Sequence, residues 1–251
     1  MDLEASSTDI PETAESELVE KACQHWEARR RAAAAQPHIE PTIPHAFSIA
    51  LSREAGTPAT AVAQEVGRLL GWQVYDRELL EKIAQDMGLR SNLLESVDER
   101  RQNWLAEALQ GLMSVSFASQ SGFVHHLVKT VLALGTHGEC VIVGRGAAFI
   151  LPPATTLRVN LVGSVQERVA AWGQTLGISE QKAAEQVRTL DRARADFLQS
   201  HFLKTPTDPC NFDLVLNAPR LSVVQLAELI AEALRRLVAR QQEKNRVTSP
   251  S

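Results

Sequence analysis

Three arginines stand directly after short apolar runs that read as strands. Arg53 follows the first run, Arg77 the second and Arg145 the third. A guanidinium is planar, charged at neutral pH, and presents paired N–H groups that match two phosphate oxygens at once. A single such residue is as readily explained by a neighbouring surface carboxylate. Three at equivalent positions after three different strands point to an anion site. In a parallel α/β sheet the ligand lies beyond the carboxyl ends of the strands, where these three would converge.

The elements that must position them are legible from periodicity. The first strand is expected at Phe47–Leu51, followed by a polar loop Ser52–Pro58 and a helix Ala59–Leu70. Val62, Val66, Leu69 and Leu70 recur at helical spacing, and Gly71 suits a left-handed stop. Thr57 reads as the N-cap of that helix and Pro58 as its first residue. Further strands are expected at Gln73–Tyr75, Cys140–Val143, Leu157–Val162 and Asp213–Leu216. The run CVIV is continuous and β-branched, as a strand covered on both faces should be. Helices are expected at 164–176, 179–202 and 222–240, the last with Ser222 as N-cap. Strands alternating with helices give the fold class: α/β, a five-stranded parallel sheet covered by helices on both faces.

Between strands two and three, residues 78–135 form a helical insertion too long for a plain crossover. Helical segments are expected there at Glu78–Met87, Ser91–Leu112 and Gly122–Leu134. The pair His125–His126 is not a metal site, because adjacent residues leave a helix on different faces and no carboxylate or cysteine cluster accompanies them. Residues 1–44 read as an acidic tail, a helix at Glu15–Ala35 and a proline-spaced linker. That helix packs on the domain or on a partner. The main domain spans 45–240, and 241–251 reads as a disordered tail.

Composition bounds the function. The chain has 251 residues, 44% hydrophobic and 22% charged, with a formal charge of −4. This is an ordinary globular balance with no nucleic-acid or membrane footprint. No apolar run approaches the roughly 20 residues of a membrane helix. Cys23, Cys140 and Cys210 are far apart and read as free thiols, which makes the cytoplasm the expected compartment.

Four segments in order resemble the cytidylate kinase-like family of nucleoside monophosphate kinases: SREAGTPATAVAQEVGRLLGWQVYDRELL, VIVGRGAAFILPPATTLRVNLVGSVQERVAAW, LDRARADF and NFDLVLNAPRLSVVQLAELI. Together they span roughly Phe47 to Leu237. The resemblance implies a P-loop core, with 78–135 as the NMP-binding insertion and 178–208 as the lid. It also implies phosphoryl transfer from ATP to CMP or a related (d)NMP, with Mg²⁺ as cofactor. Arg53, Gly56, Thr57 and Thr60 would then face the donor phosphates, and Arg168 would open the lid region. Asp76, Arg77, Arg145 and Arg194 would bind the acceptor. Arg145, Arg188 and Arg192 would act in transfer. Asp191 and Arg194 fit the family's D-x-x-R pattern, with Phe197 as its aromatic.

The loop departs from the pattern. A P-loop, G-x-x-x-x-G-K-S/T, wraps phosphate in backbone N–H groups and adds a lysine and a Mg²⁺-binding hydroxyl. Here only Gly56 remains, no lysine follows, and Pro58 removes a donor. Val143 stands where cytidylate kinases carry an Asp. Ser52, Glu54, Thr57 and Thr60 are the remaining Mg²⁺ candidates. The alternative is therefore a weak or inactive relative that binds nucleotide or another anion as a regulatory or interaction module.

Overall fold

Residues 47–86, 90, 91, 93, 94 and 122–248 are described by the computed structural model, with side chains to residue 244. The expectations for 1–44, for most of Ser91–Leu112 and for Cys23 lie outside those residues. The strands are β1 (Ser48–Arg53), β2 (Gln73–Tyr75), β3 (Cys140–Val143), β4 (Thr156–Val162) and β5 (Leu214–Asn217). All pair in parallel, in the order β2-β3-β1-β4-β5. The helices among the described residues are α1 (Ala59–Leu70), α2 (Arg77–Gln85), α3 (Gly122–His137), α4 (Ala147–Ile150), α5 (Val165–Leu176), α6 (Glu180–Phe202) and α7 (Val223–Thr248).

Strand alternation divides the core in two. Ile49, Leu51, Val141, Val143, Val159 and Leu161 face one side, against Val62 and Val66 of α1 and Leu226 and Ile230 of α7. Ala50 and Ile142 face the other, against Leu80 and Ile83 of α2 and Leu127 and Val131 of α3. Burying each of the larger side chains contributes roughly 1.5–3 kcal/mol. This two-sided cover is why CVIV has no polar face. A third cluster joins Ala55 to Val169 of α5 and Ala183 and Val187 of α6. It seats the α5–α6 pair over the loop after β1.

Several local expectations shift. Pro58, not Thr57, is the N-cap of α1 and makes no side-chain cap bond. The Thr57 hydroxyl instead donates to Glu54 O at 2.8 Å, closing the loop on itself. Gly71 ends α1 in the left-handed conformation as expected. Ser222 caps α7 reciprocally with Gln225. The last helix runs on to Thr248 rather than ending at Arg240. The short helix α4 and the 3₁₀ turns Pro209–Asn211 and Ala218–Arg220 were not anticipated.

Candidate functional site

The carboxyl ends of β1, β3 and β4 open into a cavity of about 520 Å³, within the usual range for a small-molecule site. Arg53, Arg77, Arg145 and Arg194 all line it, and Arg192 stands at its edge. Local backbone geometry delivers two of them. The turn after β3 places Gly144, Arg145 and Gly146 in succession at φ 77°, 51° and 74°. For Arg145, with a Cβ, this costs on the order of 1–2 kcal/mol, and it turns the side chain toward the cavity. Gly144 has a separate role: a Cβ there would collide with the Arg53 guanidinium. The glycine thus leaves the slot in which Arg53 lies.

The arginines are held unequally. Arg145 pairs with Glu81 of α2, and its Cζ lies 5.6 Å from the Phe197 ring centroid. Its Nε is buried without a partner. Arg77 Nε also reaches Glu81, at 3.1 Å. Arg194 Nη1 lies 3.3 Å from Asp191 Oδ1. Arg53 has no hydrogen-bond acceptor or ion pair among the described residues. Its pKa is lowered to about 10, first by burial and then by repulsion from Arg194, Arg145 and Arg77. Burial, then Arg77 and Arg194, lower Arg145 to about 10 as well. Burial also lowers Arg194. Like charges crowded out of water with too few carboxylates form a site that gains from an added anion.

The loop after β1 is arranged differently. The Ala55 N–H donates to Asp191 Oδ1 at 2.7 Å. Arg168, only 4% exposed, reaches Asp191 Oδ2 and Ala55 O through Nη1 at 2.6 and 2.9 Å. Its Nε donates to Gly163 O at 2.9 Å and lies 3.3 Å from Glu54 Oε2. The Glu54 carboxylate in turn accepts the Gly163 N–H at 2.9 Å. Arg168 therefore acts as a buried brace between β1, β4, α5 and α6, and lies outside the cavity lining. Gly56 packs against the Arg168 backbone, where a Cβ would not fit.

The remaining expected site residues are also accounted for. Asp76 caps α2 by accepting the Leu79 N–H at 3.0 Å. Thr57 is bound to its own loop and Thr60 is exposed on α1. Neither lines the cavity. Arg188 is exposed and its Nε donates to Ala184 O of its own helix. Arg192 is 86% exposed, with Asp196 3.9 Å away. Of the α6 arginines, Arg194 is the one turned inward, three residues after Asp191. Glu81, Asn160 and Phe212 belong to the site or its wall and were not singled out. Asn160 could have been weighed, because Arg158 and Asn160 are the two polar residues of LRVNLV and stand at alternate positions, on one face of the strand.

For Mg²⁺ the loop is a poor fit. Glu54 is committed to Gly163 and Arg168, Thr57 to Glu54 O, and no group of three His, Cys, Asp or Glu among the described residues is placed to hold a metal. Nor is any helix among them long and apolar enough to cross a membrane.

Residues 48–220 match the model of the Cytidylate kinase-like family. A uronate isomerase from Corynebacterium glutamicum is 24% identical over 180 residues, which are 68% of this chain and 34% of that protein. The chain thus spans about a third of that relative's length. Among solved structures, an uncharacterized protein from Eubacterium ventriosum shares the fold, with a TM-score of 0.60 at 19% identity, over 76% of this chain and 99% of that one. A shikimate kinase from Bacteroides thetaiotaomicron aligns with a TM-score of 0.41 at 15% identity, over 77% of this chain and 98% of that one.

Proposed function

Since this chain belongs to the cytidylate kinase-like family, we propose that it is a nucleoside-monophosphate-binding protein of that kinase type, taking the phosphate of CMP or a related (d)NMP into its arginine cavity. One observation carries this reading. Among the described residues the largely buried Arg53 guanidinium has no hydrogen-bond acceptor, and Arg77, Arg145 and Arg194 repel it more than Asp76 attracts it. A dianionic phosphate supplies what the cluster lacks, in the fork geometry that guanidinium groups favour. Arg145 and Arg194 would grip it from opposite walls, with Phe197 beside them.

A second reading is phosphoryl transfer from ATP, in which the terminal phosphoryl group breaks from ATP, with ADP as the leaving group, and joins a phosphate oxygen of CMP to give CDP. The position of the cavity at the strand ends, beside the loop after β1, favours it. The Ala55–Asp191 bond weighs against it, because the loop donor that would meet an incoming phosphate already holds a carboxylate. Arg192 at the rim, with Asp196 3.9 Å away, is an exposed cation within reach of a second phosphate group. No step is routed through Mg²⁺.

Calorimetric titration with CMP, followed by ATP with Mg²⁺ and assay of ADP, tests both. CMP binding without ADP formation supports the binding reading. ADP formation that depends on CMP establishes transfer. Absence of CMP binding by folded protein refutes the proposal.

A further inference from the structure

The floor of the cavity carries two polar side chains that neither the arginine cluster nor the loop uses. Asn160 of β4 is 8% exposed, lines the cavity, and makes no side-chain hydrogen bond among the described residues. Its neighbours Val159 and Leu161 point into the core beneath α1 and α7. Strand alternation therefore sends Asn160 to the opposite face, toward the cavity. Its register partner on β1 is Ser52. Ser52 alternates with Leu51 in the same way, also lines the cavity, and its hydroxyl is likewise without a partner. The Asn160 residue is almost wholly buried while its amide opens to the cavity rather than being sealed in the core, which leaves the amide available to a ligand.

The chemistry of the pair says which part of a ligand it meets. A phosphate dianion offers only acceptors. It would use only the Asn160 NH2 and the Ser52 hydroxyl as donors and leave the Asn160 carbonyl oxygen without a partner. An amide beside a hydroxyl instead matches a neutral group that both donates and accepts. We infer that Asn160 and Ser52 form the specificity-determining pair of this site, reading the neutral polar part of a nucleoside monophosphate while the arginines hold its phosphate. Two parts of such a ligand share that chemistry: the sugar hydroxyls and the amide-like edge of the base. The inference rests on the nucleotide reading above and adds to it a division of labour between floor and walls.

Calorimetry on the full chain with CMP and with pyrophosphate separates the two roles. Asn160→Leu keeps the branched shape of the side chain and removes the amide. It is expected to weaken CMP binding by about tenfold or more, since a site built to hydrogen-bond a polar group discriminates strongly on that bond. Pyrophosphate affinity should be unchanged. Ser52→Ala removes a single hydroxyl with little risk to folding, and should weaken CMP in the same selective way. If the variants lose discrimination between CMP and dCMP, the pair reads the sugar; if between CMP and UMP, the base. Equal loss of CMP and pyrophosphate, or no loss of either in both variants, overturns the inference. A wild-type protein that binds pyrophosphate and not CMP overturns the nucleotide reading, and this inference with it.

Discussion

Asp191 Oδ1 accepts the Ala55 N–H at 2.7 Å, across 136 positions of sequence. The loop that would offer its backbone to a donor phosphate thus holds a carboxylate from the chain's own α6. Arg168 Nη1, 2.6 Å from the other oxygen, supplies the countercharge. A P-loop lysine would stand near such an anion; here a buried arginine from α5 takes that electrostatic place. Helix α6 is thereby fastened to the loop by charge as well as by the apolar contacts of Ala183 and Val187 with Ala55.

Replacing that carboxylate should expose an anion site at the loop. Asp191→Ala leaves the Ala55 N–H without an acceptor and Arg168 short of one, at a cost of about 1–3 kcal/mol. Millimolar inorganic phosphate should restore part of the lost melting temperature in the variant and add less to the wild type. Thermal denaturation with and without phosphate measures both. Equal responses in the two proteins would mean that Asp191 is an ordinary ion-pair partner.

Arg168→Met should be the most destabilising single change in this region. It removes a buried guanidinium whose charge-assisted hydrogen bonds contribute about 1.5–3 kcal/mol each, while Asp191 keeps the Ala55 N–H and Arg194 and Glu54 keeps the Gly163 N–H. Urea unfolding gives the number. The double variant with Asp191→Ala should cost less than the sum of the two singles, because both remove one shared interaction.

Arg53→Met should separate binding from stability. The guanidinium is largely buried, has no hydrogen-bond partner among the described residues, and is repelled by three other arginines against the weaker attraction of Asp76. Its loss should leave the ligand-free melting temperature unchanged or higher. CMP affinity should fall by about 1.5–3 kcal/mol, roughly ten- to a hundredfold, the worth of a charge-assisted hydrogen bond. A lower melting temperature with unaltered affinity would make Arg53 structural.

The pH dependence of CMP binding should be two-sided. Affinity should rise between about pH 5 and 7 as the phosphate monoester loses its second proton, whose pKa is about 6. It should fall as the pH passes through about 10, where the lowered pKa values of Arg53 and Arg145 lie. For the ligand-free protein the sign is opposite. The unfolded chain holds these two protons more tightly, so their contribution destabilises the fold below pH 10 and is relieved as the pH rises through it. Calorimetry across this range, with melting curves at each pH, checks both directions.

Much of the architecture was readable because it rests on short-range pattern. The apolar run at Cys140–Val143, the helical spacing of Val62 and Val66, and Gly71 after them each state a local preference that the fold respects. The convergence of Arg53, Arg77 and Arg145 followed from the parallel sheet alone. The commitments among the side chains were not readable in the same way. Nothing in the spelling of Ser52–Thr60 says that a residue 136 positions later closes on Ala55. Arg168, Arg188 and Arg194 are the same residue type on two neighbouring helices, one walled in, one in solvent and one lining the cavity. Only tertiary packing separates them, through Val169 and Val187 turned toward Ala55. Asn160 was partly visible, as a buried-strand position that alternates with Val159 and Leu161 and shares its face with Arg158.

The slot that Gly144 leaves for the Arg53 guanidinium has a consequence for how this sequence can drift. A residue larger than glycine at 144 meets the arginine head-on, whereas a shorter residue at 53 meets nothing. Glycine at 144 is held twice over: its φ of 77° strains any other residue, and a Cβ there would have to displace the tip of the Arg53 side chain. Shortening residue 53 lifts the second restraint and leaves the first. Relatives of this protein should accordingly show Arg53 only in company with Gly144, while glycine at 144 should be found with many residues at 53. That one-way dependence would mark the lineages that kept the anion cavity and those that abandoned it.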